Sequence, residues 1–222
     1  MGVISSAIHG ECGCCDSVAA CCDHDDAPGT VEANVIGGSF GNPGFGNYTS
    51  PNAPPDYFND YLDLSVFGAE YDTVTSPAMS TTVEGIDITI TGTSDFEVRR
   101  VAMSITGDMG SSGDYVLYHA SAGGPITFEF SGGVVCNVGI GISAAVNSIQ
   151  TLDVEVWDDA AGNDTDSGSY TTSVYISTES NTNGGILCWP TPGASITKVE
   201  VSTTGPLGIA FGKIWICNGG AP

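Results

Sequence analysis

Positive charge is what this sequence has least of. Arg99, Arg100, Lys198 and Lys213 stand against 26 Asp and Glu, for a formal net charge of −22. Phosphate recognition depends on clustered Lys and Arg that displace counterions, so a nucleic-acid grip is excluded, and a polybasic membrane-surface patch fails for the same reason. No apolar run approaches the roughly 18 residues of a membrane span. The apolar start Met1-Gly-Val-Ile-Ser-Ser-Ala-Ile8 has no basic residue and meets His9-Gly-Glu11 at once, so it does not read as a secretory signal. Amphipathic stretches of helical period are missing, which argues against a βαβ fold. Histidine is rare too, with His9, His24 and His119 the only three. His119 sits in Tyr118-His-Ala-Ser121 with no nucleophile motif beside it, so a packed or surface histidine is the plainer reading and no catalytic residue is assigned.

What is present is enough to fold. Hydrophobic residues make up 41% of the 222 and charged residues only 14%, which is not the composition of a disordered chain. The length suits an all-β architecture, which uses about 200 to 250 residues as one domain. So acidic a chain is suited to salt, where self-repulsion is screened within about 8 to 10 Å, and an extracellular or virion-surface setting is the expectation.

Three regions differ in composition. Residues 1–30 carry five of the eight cysteines and two of the three histidines, and read as a Cys/His-rich arm. Residues 31–61 include Gly37-Gly-Ser-Phe-Gly-Asn-Pro-Gly-Phe-Gly-Asn47 and Ser50-Pro-Asn-Ala-Pro-Pro55, a density of turn formers that predicts an extended linker lying over a surface. From residue 62 to 222 the apolar period becomes two. It is seen in Val83-Glu-Gly-Ile-Asp-Ile-Thr-Ile90, Phe96-Glu-Val98, Val101 to Ile105, Tyr115 to Tyr118 and Ile126-Thr-Phe-Glu-Phe130. It continues in Val134 to Ile142, Thr151 to Trp157, Tyr170 to Ile176, Ile196 to Val201 and Ile209 to Ile216. Such alternation gives a strand one apolar and one polar face. Eight to ten short strands separated by Gly, Asp, Asn or Pro predict an all-β fold, an antiparallel β-sandwich of jelly-roll type.

Three places offer chemistry. Cys12-Gly-Cys-Cys15 followed by Cys21-Cys-Asp-His24 brings thiols and an imidazole to short spacing. Cys12, Cys15, Cys21, Cys22 and His24 are candidate zinc ligands, and disulfides within the arm or between copies are the competing reading. Asp158-Asp-Ala-Ala-Gly-Asn-Asp-Thr-Asp166 follows a strand. Asp158, Asp159, Asn163, Asp164 and Asp166 are candidate oxygen ligands for calcium around Gly162, against the plainer reading of a solvated hairpin turn. The aromatics supply possible stacking contacts for a glycan. Trp157 and Trp215 lie in alternating strands and are expected in the core. Trp189, bracketed in Cys188-Trp-Pro-Thr-Pro192, is the candidate exposed ligand contact.

Residues 124–216 resemble the β-sandwich modules of exported bacterial proteins, including those sorted by the PEP-CTERM route, and carbohydrate-binding-like jelly rolls. The residues that carry this are Val154-Glu-Val-Trp-Asp-Asp-Ala-Ala-Gly-Asn163, Gly184-Gly-Ile-Leu187, Ile196-Thr-Lys-Val-Glu-Val201 and Gly208-Ile-Ala-Phe-Gly-Lys-Ile-Trp-Ile216. Gly212-Lys213 stands where those modules carry an acidic pair, and the sorting tail is missing. Jelly rolls of this size also serve as virion decoration and spike proteins. The resemblance implies an architecture and transfers no site. The resulting expectation is a non-enzymatic structural or adhesive β-sandwich of a virion or cell-surface assembly, anchored through its arm to protein subunits as a homo-oligomer. A calcium-assisted carbohydrate-binding module is the alternative, and a glycan-active enzyme the second.

Overall fold

The computed structural model describes residues 31–34, 58, 60–100, 113–120, 124–144, 149–159, 170–177, 184–188, 190, 194–203 and 208–219. Within them the chain forms β1 (Val31–Asn34), β2 (Asp60–Leu62), a 3₁₀ turn (Leu64–Phe67), β3 (Thr73–Val74), β4 (Ala78–Thr81), β5 (Asp87–Thr91), β6 (Phe96–Arg100) and β7 (Tyr115–His119). It continues with β8 (Ile126–Ser131), β9 (Val135–Ala144), β10 (Ile149–Asp158), β11 (Tyr170–Ser177), β12 (Gly184–Cys188), β13 (Ile196–Thr203) and β14 (Ile209–Asn218). The strands pair into two sheets, one of eight in the order β1-β12-β9-β14-β7-β6-β3 with β2 also on β14, the other of six in the order β11-β10-β13-β8-β5-β4. Every pairing is antiparallel. The protein is an antiparallel β-sandwich of jelly-roll type, as the alternation predicted.

Period-two patterning builds the core directly. In β5, Ile88 and Ile90 are buried and face inward while Asp87 and Thr91 are exposed; in β8, Ile126, Phe128 and Phe130 are buried while Glu129 is exposed. Leu117, Ile140, Ile142, Phe211, Ile214 and Ile216 of the facing sheet complete one continuous apolar cluster. Phe128 and Phe211 meet across the two sheets edge-to-face, with centroids 5.2 Å apart. Each such side chain contributes about 1.5 to 3 kcal/mol through its removal from water.

The eight-stranded sheet contains a local irregularity that matters for the site. Strand β14 lies along β9 on one side; on the other it pairs first with β7, over Ile209–Phe211, and then with β2, over Ile214–Ile216. Where β7 hands over to β2 the register shifts, so that Phe211 and Ile214 both point into the core although three positions apart. A bulge of this kind inserts an extra residue and re-aims the side chains beside it. Here it carries Lys213 to the outer face.

Strands β1 and β2 both arise from the segment expected to form a linker, and β1 lies on β12 at the sheet edge. Val101 to Ile105, expected to continue a strand after Arg99-Arg100, lies outside the described residues, as does most of the arm-and-linker region.

Candidate functional site

The outer face of the eight-stranded sheet is divided into two parts. Over β9 and β14 it is sealed: Asn137, Trp215 and Cys217 are at most 3% exposed, and Gly139, Gly141 and Gly212 are buried as well. Over β6 and β7 it is more exposed: Glu97, Arg99 and Tyr118 are partly open to water, with Val116 buried among them. The cross-strand register places Glu97 opposite Tyr118 and Arg99 opposite Val116. Since Phe96, Val98 and Leu117 point into the core, Glu97, Arg99 and Tyr118 point outward together.

Tyr71 reaches this open face from the turn before β3. Residues 68–72 form a tight reversal in which the Asp72 carboxylate accepts the Ala69 N–H at 2.8 Å and the Asp72 N–H donates back to the Ala69 carbonyl at 3.0 Å. Gly68 has a φ of +137°, and a Cβ there would lie 2.6 Å from Asp72 Oδ2. The turn leaves Tyr71 with a φ of +76°. Left-handed backbone costs a side-chain-bearing residue about 1 to 2 kcal/mol. Two flanking hydrogen bonds hold it: Tyr71 N–H donates to the Val98 carbonyl at 2.7 Å, and Val98 N–H donates to the Asp72 carbonyl at 2.9 Å. The outcome is a tyrosine 65% exposed and fixed beside β6.

Arg99 joins the two tyrosines. Its guanidinium carbon lies 5.2 Å from the Tyr71 ring centroid and 5.4 Å from that of Tyr118, and Glu97 forms an ion pair with it. Both charged side chains are partly open to water, at 43% for Arg99 and 33% for Glu97. A planar guanidinium suits this position because it attracts aromatic faces while its N–H groups stay available at the edges. Tyr118 is seated with help from Gly208, whose hypothetical Cβ would lie 2.6 Å from the Tyr118 ring and against the His119 carbonyl oxygen. The arrangement combines two aromatic faces, a fork of donors and a carboxylate acceptor on one surface.

A second cluster lies across β7 at the bulge. Tyr61 and Trp215 have ring centroids 5.1 Å apart, and Lys213 Nζ is 5.8 Å from each ring and 3.5 Å from the Asp114 carboxylate. Only 12% of the Lys213 side chain is exposed. Lys213 therefore sits beside these rings, of which Trp215 is buried and Tyr61 partly exposed. On the other sheet Lys198 Nζ lies 3.5 Å from the Trp157 centroid. Trp157 and Trp215 are both buried as expected, yet neither belongs to the main core cluster. Each packs on the outer surface of a sheet beneath a lysine.

The residues singled out from sequence fall differently. Asp158 ends β10 fully buried, while the Asp159 carboxylate accepts the Ser195 N–H and its own N–H donates to the Ser195 carbonyl at 3.0 Å. Asn163, Asp164, Asp166, Cys12, Cys15, Cys21, Cys22, His24 and Trp189 lie outside the described residues. Among the described residues no three metal-binding side chains gather. His119 is fully buried, with Nε2 accepting the Ser94 N–H at 3.3 Å and the ring 5.3 Å from Phe96. The thiol of Cys188 is buried, and desolvation pushes its pKa far up. Cys136 is disulfide-bonded and packs against Cys217, which is not its disulfide partner.

Tyr71 and Tyr118 carried a compositional signal in the sequence, as two tyrosines among eight. Their convergence on Arg99 did not, because 28 and 19 residues separate them from it.

No family model matches the chain. No curated protein matches it either. Solved structures resemble it in arrangement. One is the CBM22-1-GH10 portion of Clostridium thermocellum xylanase Xyn10B complexed with xylohexaose, at 14% identity and a TM-score of 0.35, over 68% of this chain and 29% of that one. Another is the enzymatically active domain of bacteriophage CBA120 tailspike protein 4, at 17% identity and a TM-score of 0.38, over 76% of this chain and 22% of that one. A third is TmCBM61 in complex with β-1,4-galactotriose, at 15% identity and a TM-score of 0.37, over 72% of this chain and 99% of that one. The chain thus spans less than a third of the first two. The resemblance read from residues 124–216 is one of architecture, and the fold assignment rests on the strand pairing itself.

Proposed function

We propose that the protein is a non-enzymatic adhesive β-sandwich of an extracellular or virion-surface assembly, and that it holds glycan on the open half of its eight-stranded sheet. The observation that carries this reading is the Tyr71–Arg99–Tyr118 stack with Glu97 at its edge. The exposed Tyr71 ring and the partly exposed Tyr118 ring offer apolar surface for the C–H faces of sugar rings, and a partly exposed guanidinium and carboxylate offer donors and acceptors to hydroxyls. The backbone strain at Tyr71 supports it, since a tyrosine is an expensive choice for a left-handed position that glycine would fill freely.

The test is retention of the full chain on immobilised neutral oligosaccharides, against Tyr71→Ala. The variant should lose at least about tenfold in affinity, equivalent to about 1.4 kcal/mol. Equal retention by Tyr71→Ala would remove this surface from consideration.

Attachment to an assembly is the second part of the proposal. Strand β1, which follows the arm in sequence, lies at the edge of the eight-stranded sheet, and the arm is the segment we assign to a neighbouring subunit. Light scattering of the full chain should report an oligomer that reductant or chelator reduces in size. A monomer under all conditions argues against anchoring through residues 1–30.

A further inference from the structure

We infer that Glu97 restricts this surface to uncharged glycans, acting as the specificity-determining residue of the site; the inference rests on the glycan reading above and refines it. Among the described residues Arg99 is the one cation at the stack, and a partly exposed guanidinium is by its chemistry a receptor for carboxylates. Left alone, it would draw in uronic acids. Glu97 changes that. It stands two residues from Arg99 on the outer face of β6, directly opposite Tyr118, and forms an ion pair with Arg99 through Nε. With Glu97 and Arg99 both in place the stack carries no net charge, while retaining donors on Arg99 and acceptors on Glu97. That combination matches adjacent hydroxyls and opposes a carboxylate, which would meet Glu97 at close range. Exclusion by a like charge held at the binding surface is a common way of setting specificity.

The net charge of −22 also repels anionic glycans, and this is the competing explanation. The two differ in range. Whole-molecule repulsion fades as salt shortens the Debye length from about 10 Å at 0.1 M to about 3 Å at 1 M, whereas a carboxylate touching the ligand is much less screened.

The experiment measures retention of the full chain on gluco-, galacto-, manno- and xylo-oligosaccharides and on oligogalacturonate and oligomannuronate, at about 0.1 and about 1 M salt. The wild-type chain should retain at least one neutral glycan and neither uronate at either salt. Glu97→Gln should bind a uronate at least about tenfold more tightly than the wild-type chain, the gain expected when a like charge is removed from a contact, and should lose rather than gain affinity for the neutral glycan, because it gives up an acceptor. Its melting curve should match that of the wild-type chain, and Glu97→Ala gives the same reading if the glutamine variant does not fold. Two results overturn the inference while leaving the glycan reading intact: uronate binding by the wild-type chain at high salt, or neutral retention by the wild-type chain with no gain for uronate in the folded variants. Failure of the wild-type chain and both variants to retain any glycan sinks the reading of the surface itself, and the inference with it.

Discussion

At the scale of single residues, the stability of this protein depends on polar groups placed inside it. Asp60 is 1% exposed and accepts from the Thr82 hydroxyl, from Glu84 N–H at 3.0 Å and from Tyr61 N–H at 2.8 Å, which ties β2 to the turn between β4 and β5. Thr82 is buried too, and its hydroxyl accepts the Ile86 N–H at 3.0 Å. Asp60→Ala therefore strands several donors at once and should cost about 3 kcal/mol, read as a lower urea midpoint. Cys188 gives a pH prediction. Burial favours its neutral thiol, so the folded pKa lies above the unfolded value of 9.0. Stability from this source is fully present below pH 9 and is lost as pH rises beyond that value, because only the unfolded chain then releases the proton readily. The slope should approach about 1.4 kcal/mol per pH unit, and Cys188→Val should flatten it. In the native state at pH 8 a thiol reagent should leave Cys188 unmodified, with reaction on unfolding. Rapid native labelling would contradict its burial.

At the scale of elements, the open face depends on close approach between β7 and the residue that leads into β14. Gly208 packs against the Tyr118 ring and the His119 carbonyl, leaving no room for a methyl group. Gly208→Ala should destabilise by about 1 to 3 kcal/mol, the usual cost of overpacking, and should weaken glycan retention by moving Tyr118. A variant that melts normally and binds normally would show that the strand ends yield without moving the ring. The regular strands were legible from sequence, since in β5 and β8, and in β13 from Val199 onward, the apolar alternation coincides with the inward positions. Short strands were not. Strand β3 has two residues and β2 three, too few for a period to register, and both owe their strand geometry to partners distant in sequence. The bulge at residues 212–213 was likewise invisible, because it is defined by the register against β9.

At the scale of the whole molecule, charge and core are set against each other. A net charge of −22 on 222 residues must repel itself, while the continuous apolar cluster between the sheets holds the chain compact. Raising salt from about 0.01 M to about 0.5 M should therefore raise the melting temperature as the Debye length contracts from about 30 Å to well under 10 Å. A melting temperature insensitive to salt would mean that the carboxylates are too dispersed to matter.

The class of fold follows from sequence alone, because apolar period two admits few arrangements other than strands packed face to face. Sequence alone also sets the expectation against a phosphate-backbone grip, because four basic residues are too few to neutralise one. Only the tertiary structure decided where those basic residues stand: Arg99 between Tyr71 and Tyr118, Arg100 beside Tyr115, Lys198 on Trp157, and Lys213 on Tyr61 and Trp215. It also decided that one half of a sheet face is sealed and the other open. The physical reason is the same in each case. Alternation fixes the side of a strand on which a residue lies, whereas strand order and register fix its neighbours, and these are set by contacts between distant parts of the chain.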